Sequence, residues 1–231
     1  MHKVVFFDID GTLVESGGAG RAAFISALHS VFNWTDNIDY IHFSGATDLD
    51  VLRQIFERYE CELTEDDTLR FFDQLPVELE EAVLTHKVYA LPGVAALLDQ
   101  LAHDPDCIAG LITGNIESCA RIKLAAAGID HPFLLGAFGH EHADRNEIAK
   151  LAFQRACDLL PAGAEIGAAY LIGDSPADIA AAHAIGAHAI AVATGTPSYR
   201  ELTDAGANTV LENLLDADLV GTIIQLGHRE R

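Results

Sequence analysis

Asp8 and Asp10 stand one residue apart at the end of the run Val4-Val5-Phe6-Phe7, and no other pair in the chain is better placed to do chemistry. Successive side chains of a strand alternate faces, so the two carboxylates point the same way while Ile9 packs on the other face. Carboxylates held that close repel each other and raise one pKa unless a cation sits between them. A hard divalent cation such as Mg²⁺, which takes oxygen ligands and brings phosphate with it, resolves the conflict. A strand end with two solvated aspartates would carry the same pattern, but Gly11 and Thr12 shift the balance toward a site. Gly lets the chain turn sharply beside a ligand, and Thr adds a hydroxyl and an N–H where an oxyanion could sit.

Carboxylates at a strand end need a sheet to hold them. Residues 4–9, 107–113, 168–172 and 187–192 are short apolar β-type runs, each followed by a turn and a helix-like stretch. This alternation predicts an α/β fold, a Rossmann-like doubly wound parallel sheet with helices on both faces. Ligands bind such sheets at the carboxyl ends of the strands, where Asp8, Thr113 and Asp174 all fall. From Glu15 to Lys87 there is no convincing strand, and Arg21–Phe32, Leu49–Tyr59 and Glu65–Leu84 read as amphipathic helices. The predicted organisation is therefore a core made of residues 1–14 and 89–231, with a helical insertion over 15–88. Tyr89–Val94 is the expected return to the core, with Pro92-Gly93 breaking the chain before a helix over Val94–Leu101. Leu211–Leu226 is expected to form a closing helix without chemistry.

Composition narrows the function from the other side. At 231 residues and 50% hydrophobic content, the chain can bury a large core plus an insertion. Its formal charge of −21 argues against a nucleic-acid partner, which demands a basic surface. No apolar stretch is long enough to span a bilayer, and Met1-His2-Lys3 leads straight into the first strand without room for a secretory signal. The cysteines at 61, 107, 119 and 157 lack C-x-x-C or zinc-like spacing and read as free thiols in a reducing cytosol, so a cytoplasmic location is expected. A phosphate ester is itself an anion, so local cations at the site must outweigh this global field at short range.

The run Asp8-Ile9-Asp10-Gly11-Thr12-Leu13 resembles the first motif of the haloacid dehalogenase superfamily, D-x-D-G-T-L/V. Leu111-Ile112-Thr113-Gly114-Asn115 is similar to the second motif, and Leu171-Ile172-Gly173-Asp174-Ser175-Pro176-Ala177-Asp178 to the acidic fourth. The three stand in register across almost the whole chain, and the insertion lies where that family carries a helical cap. The third motif departs from the pattern: where the family has Lys followed by Pro, this chain has Ala143-Asp144-Arg145-Asn146. Arg145 and Lys150 are the candidates for its positive charge.

The resemblance implies an aspartyl-phosphate mechanism. Asp8 would be the nucleophile. Asp10 would be the general acid and then the base, a role calling for a raised pKa. Mg²⁺ would be held by Asp8, Asp174 and the Asp10 backbone carbonyl, with Asp178 behind them, and Arg145 would balance the charge. Thr113 with the N–H groups of Gly114 and Asn115 would bind the phosphoryl oxygens. Ser44–Asp48 resembles a substrate-facing cap loop of phosphoglycolate-phosphatase-like relatives, making Thr47 a candidate substrate residue, although Thr47-Asp48 also reads as a helix N-cap. Arg21, Arg53, Arg58 and Arg70 are candidate readers of a second anionic group, and His140, Glu141 and His142 form a weaker candidate metal cluster.

The expected activity is Mg²⁺-dependent hydrolysis of a small phosphorylated metabolite, phosphoglycolate-like or a sugar phosphate. A sugar phosphomutase shares all four motifs, and a non-catalytic phospholigand module would be marked by the loss of an Asp, which is not seen. A dehalogenase is disfavoured by Asp10, and a phosphonate hydrolase by a cap with no Lys before Lys87. Substrate and oligomeric state are not legible.

Overall fold

A nearly unbroken apolar strand has to be covered on both faces, and β1 (His2–Phe7) is buried along its length from Lys3 onward. The computed structural model describes residues 1–35, 37–215 and 217–226. After β1 come β2 (Val14–Glu15), the helices α1 (Ala19–Phe32), α2 (Asp48–Arg58) and α3 (Glu65–Thr85), and then β3 (Tyr89–Ala90). The chain continues through α4 (Val94–Ala102), β4 (Cys107–Ile112), α5 (Glu117–Ala126), β5 (Leu135–Ala137), α6 (Arg145–Leu159) and β6 (Ile166–Gly173). It ends with α7 (Pro176–Ala184), β7 (His188–Val192), α8 (Tyr199–Asp204), β8 (Thr209–Leu211) and α9 (Ala217–Leu226).

Six parallel strands form one sheet in the order β5-β4-β1-β6-β7-β8. Numbering only these six, the order is 3-2-1-4-5-6, the doubly wound arrangement whose direction reverses beside its first strand. Helices α4, α5 and α9 cover one face, through residues such as Leu97, Leu101, Leu124 and Ile224. Helices α6 and α7 cover the other, through Ile148, Ala152, Ile179 and Ala182. The alanines let these helices lie close to the sheet. The three-helix insertion has its own cluster around Phe24, Leu28, Leu52, Ile55 and Phe71.

The four predicted long strands and the helices of the insertion are all present, while several short elements were not anticipated. β5 and β8, three residues each, extend the sheet at its two edges. β2 and β3 pair antiparallel, Val14 with Ala90 and Glu15 with Tyr89, so the chain's exit from the core and its return are tied together. The closing helix begins at Ala217 rather than Leu211, because Thr209-Val210-Leu211 is taken up by pairing with Ile190-Ala191-Val192. Among the described residues no helix is long and apolar enough to cross a membrane. The four cysteines are free thiols.

Candidate functional site

Two strand ends and the start of a helix deliver the acidic cluster. Asp8 follows β1, Asp174 follows β6, and α7 brings Asp178 in behind them. One oxygen from each of Asp8, Asp174 and Asp178 lies within 4.8 Å of the others, and all three residues are buried. The start of α7 explains the position of Asp178. Ser175 is its N-cap, Pro176 opens the helix, and the Asp178 carboxylate closes a capping box by accepting from Ser175 N at 3.1 Å and Ser175 Oγ at 2.6 Å. Its other oxygen, Oδ1, faces Arg145 Nη2 at 2.6 Å.

Arg145 is the first residue of α6, whose N-cap Asp144 accepts from Asn146 N at 2.8 Å. The buried guanidinium reaches Asp8 Oδ1 at 2.7 Å and donates to the Ile112 carbonyl at 3.3 Å. Lys150, the alternative cation, lies on the exposed side of α6 and pairs with Glu147 at 2.7 Å. The third-motif charge that meets the carboxylates is therefore Arg145.

One guanidinium does not neutralise three buried carboxylates. Burial, with the nearby charges of Asp178 and Asp8 and against the pull of Arg145, pushes the Asp174 carboxyl up to about 9. Burial also raises Asp8 to about 6 against the opposing pull of Arg145. The close-packed glycines leave no slack: a Cβ on Gly11, whose φ is +75°, would lie 2.5 Å from Asp174 Oδ2. Asp178 Oδ1 accepts no hydrogen bond despite its nearness to Arg145. Hard oxygen donors, excess negative charge and an unsatisfied buried oxygen together fit a divalent cation of the Mg²⁺ type.

Such a site has a pH signature. A carboxyl whose folded-state pKa is raised stabilises the fold fully below its unfolded-state pKa, and loses that stabilisation as pH climbs through the folded value. For Asp8 and Asp174 that loss extends up to about 6 and about 9. In chelator, stability is expected to fall across this window, and Asp174→Asn should melt higher than the wild type at pH 8. Added Mg²⁺ should raise the wild-type Tm more at pH 8 than at pH 5. Equal Mg²⁺ shifts at both pH values in differential scanning fluorimetry would show that these carboxylates do not bind the ion.

Asp10 departs from expectation. Its carboxylate does not join the acidic cluster but accepts from Asn115 Nδ2 at 2.8 Å and from Lys123 Nζ at 2.6 Å. Burial raises this carboxyl, but the Lys123 ammonium and its hydrogen bond outweigh burial and hold it below the usual range. The raised pKa expected of a general acid is thus absent in this arrangement, for a reason located 113 residues away in the chain. Lys123 lies on the buried face of α5 and also donates to Asn115 Oδ1 at 2.6 Å. A lysine in helical register with the apolar Cys119, Ala120 and Leu124 was a readable sign of this role.

The second-motif turn is built as a support. Thr113 is fully buried, and its Oγ1 accepts from Asn115 Nδ2 at 2.9 Å and from Asn115 N at 3.3 Å. Gly114 and Asn115 line the cavity above Asp8, whereas Thr113 lies behind them. α5 has no cap of its own, and Ile116 N donates instead to Asp48 Oδ2 from α2 at 2.8 Å.

Thr47 does not face the cavity. It is the N-cap of α2, accepting from Asp50 N at 3.1 Å and donating to the Ala143 carbonyl at 3.0 Å, so its hydroxyl is occupied. Asp48 N donates to the Gly114 carbonyl at 2.7 Å and Leu49 N to the Gly139 carbonyl at 3.2 Å, which fastens the start of α2 to the core loops. Of the four candidate insertion arginines, only Arg21 reaches the cavity. Glu141 is committed to Arg155 at 2.6 Å, and among the described residues the acidic cluster alone gathers metal-type ligands.

A family model described as haloacid dehalogenase-like hydrolase matches residues 5–192. No curated protein sequence matches the chain. Among solved structures, a hydrolase from Pseudomonas syringae is similar at 22% identity and TM-score 0.71, covering 98% of this chain and 99% of its own. A predicted phosphoglycolate phosphatase from Haemophilus somnus is 22% identical, with TM-score 0.65, over 95% of this chain and 98% of its own. A β-phosphoglucomutase from Clostridium difficile is 18% identical, with TM-score 0.69, over 100% of this chain and 98% of its own. At these identities the likeness is one of fold.

Proposed function

We propose that this chain, which belongs to the haloacid dehalogenase-like hydrolase family, is a Mg²⁺-dependent phosphatase acting on a small phosphorylated metabolite. The observation that carries the reading is the convergence of Asp8, Asp174 and Asp178 within 4.8 Å, with Arg145 against two of them. The helical insertion, residues 15–88, acts as the cap over a core of residues 1–14 and 89–231.

Phosphoryl transfer needs an in-line nucleophile and neutralised oxygens more than it needs covalent ingenuity. Asp8 attacks phosphorus, a P–O bond to its carboxylate forms, and the ester P–O bond breaks. Asp10 gives its proton to the departing alkoxide. For that step Asp10 must carry a proton, so the 2.6 Å contact with Lys123 has to loosen as substrate enters. In the second step Asp10 takes a proton from water, the water oxygen bonds to phosphorus, and inorganic phosphate leaves with Asp8 restored. Here the ionised Asp10 favoured by Lys123 is the competent form. Arg145 holds the Asp8 carboxylate and offsets charge on the phosphoryl group, and Gly114 presents its N–H to the phosphoryl oxygens, while the Asn115 N–H is turned onto Thr113 Oγ1 and braces the turn. A divalent cation held by Asp8, Asp174 and the Asp10 carbonyl, backed by Asp178, would supply charge neutralisation to the phosphoryl oxygens when bound.

The test is phosphate release from a panel of phosphomonoesters with chelator or added metal. Chelator should remove the activity, and Mg²⁺ should restore it better than Ca²⁺, whose larger and looser coordination disturbs in-line attack. Full turnover in chelator would overturn the assignment.

A further inference from the structure

We propose that Asp48 and Lys123 together read a hydroxyl next to the ester carbon, so that the preferred substrates are phosphate monoesters of vicinal diols and polyols, a narrowing that rests on the phosphatase reading above. Both residues line the cavity of about 580 Å³ over Asp8. Asp48 is fastened to the second-motif turn. Its N–H donates to the Gly114 carbonyl at 2.7 Å, and its Oδ2 accepts from Ile116 N at 2.8 Å. The insertion loop lies so close here that Gly114 has no room for a Cβ beneath the Ala46 carbonyl. With the phosphoryl group at the Gly114 N–H, the Asp48 carboxylate stands beside the near end of the alcohol rather than its far end.

One oxygen of that carboxylate is spare. Oδ2 is taken by Ile116, whereas Oδ1 accepts from none of the described residues. Burial raises this half-buried carboxyl to about 6 against the pull of Lys123, so its charge is poorly solvated where it stands. Lys123 supplies the complementary half. Its buried ammonium has three N–H donors, and Asp10 and Asn115 take two of them at 2.6 Å each. The third meets no acceptor among the described residues, and the loosening from Asp10 that leaving-group protonation requires frees another. A hydroxyl answers both needs at once, since its oxygen accepts from Lys123 and its hydrogen goes to Asp48. A carbon in that place would strip water from an ammonium and a carboxylate and return no hydrogen bond. A substrate carboxylate would meet Lys123 but be repelled by Asp48 and Asp10, and a substrate ammonium would meet Asp48 but be repelled by Lys123.

A series of ethyl phosphates carrying a hydroxyl, methyl, ammonium or carboxylate on the second carbon isolates the group. With Mg²⁺, kcat/KM for the hydroxyl ester is expected to exceed that for each of the others by roughly tenfold or more. Part of that ratio comes from the hydroxyl's electronic pull on the leaving oxygen, and Asp48→Asn separates the two contributions. The amide oxygen can still accept from Ile116 N and hold the loop, while an NH₂ donor takes the place of the Oδ1 acceptor. In this variant the hydroxyl-to-methyl ratio should fall by about fivefold or more, chiefly through KM for the hydroxyl ester. Equal rates, a preference for any of the other three esters, or a ratio untouched by Asp48→Asn would overturn this inference and leave the phosphatase reading standing. Release of phosphate from none of the four would overturn both.

Discussion

Asp8→Asn is expected to abolish turnover, lowering kcat by on the order of 10⁴-fold or more, while the protein stays folded. The amide nearly matches the carboxylate in shape, so packing under β1 is preserved and only the nucleophile is lost. Stability should not fall in chelator at neutral pH. The wild-type carboxyl, pushed up to about 6, is ionised there at a cost to the fold, and the amide removes that cost. Steady-state phosphate release measured beside a thermal melt separates the two effects. A clean Asp8→Asn preparation with activity above a trace would sink the nucleophile assignment.

Arg145→Ala should produce the second-largest effect, in both activity and stability. Its guanidinium lies 2.7 Å from Asp8 and 2.6 Å from Asp178, and it is buried with them. Losing one such electrostatic partner costs about 3 kcal/mol of transition-state stabilisation, or roughly a hundredfold in kcat/KM. Removing one member of a buried ion pair also destabilises the fold by about 3–5 kcal/mol, because the remaining charge is left uncompensated. At acid pH, where Asp8 takes up a proton, the stability loss should shrink. Arg145→Lys should recover part of the activity, since a lysine restores the positive charge but not the delocalised guanidinium with its additional N–H donors. Lys150→Ala should be nearly silent, as its ammonium meets only Glu147 at the surface. The reverse ranking of the two alanine variants would remove Arg145 from the mechanism.

The parts of the molecule legible in the sequence were those encoded locally. Val4–Phe7, Ile108–Ile112 and Leu171–Ile172 are apolar runs between turn residues, and the carboxylates and threonine stand at their ends by chain order alone. β5 and β8 escaped because three residues, one of them Gly136, carry too little pattern, and their strand character comes from pairing with neighbours already in the sheet. The Asp10 environment was hidden for the same reason at longer range. The D-x-D spacing reports the repulsion from Asp8, but not the ammonium that α5 swings onto it. Thr47 carried two signals, a loop resemblance and an N-cap pattern. The cap pattern describes what its hydroxyl does, because a backbone N–H three residues on competes for the oxygen wherever α2 forms.

Placing β1 at the centre of the sheet also sets the order in which the fold can be completed. Its partners lie far along the chain, with Lys3 beside Cys107 on one side and Ala168 on the other. Ribosomal synthesis at about 5–20 residues per second leaves roughly 8–33 s between the emergence of Lys3 and that of Ala168. Throughout that interval Val4-Val5-Phe6-Phe7, an uncharged β-prone run, lacks the neighbour that pairs with one of its two edges. The helices between β2 and β3 bury their own apolar residues against one another, so they can collapse while β1 waits. The strand that carries the proposed nucleophile is thus made long before one of the two strands that flank it, and until β6 arrives its open edge is exposed to pairing with other chains.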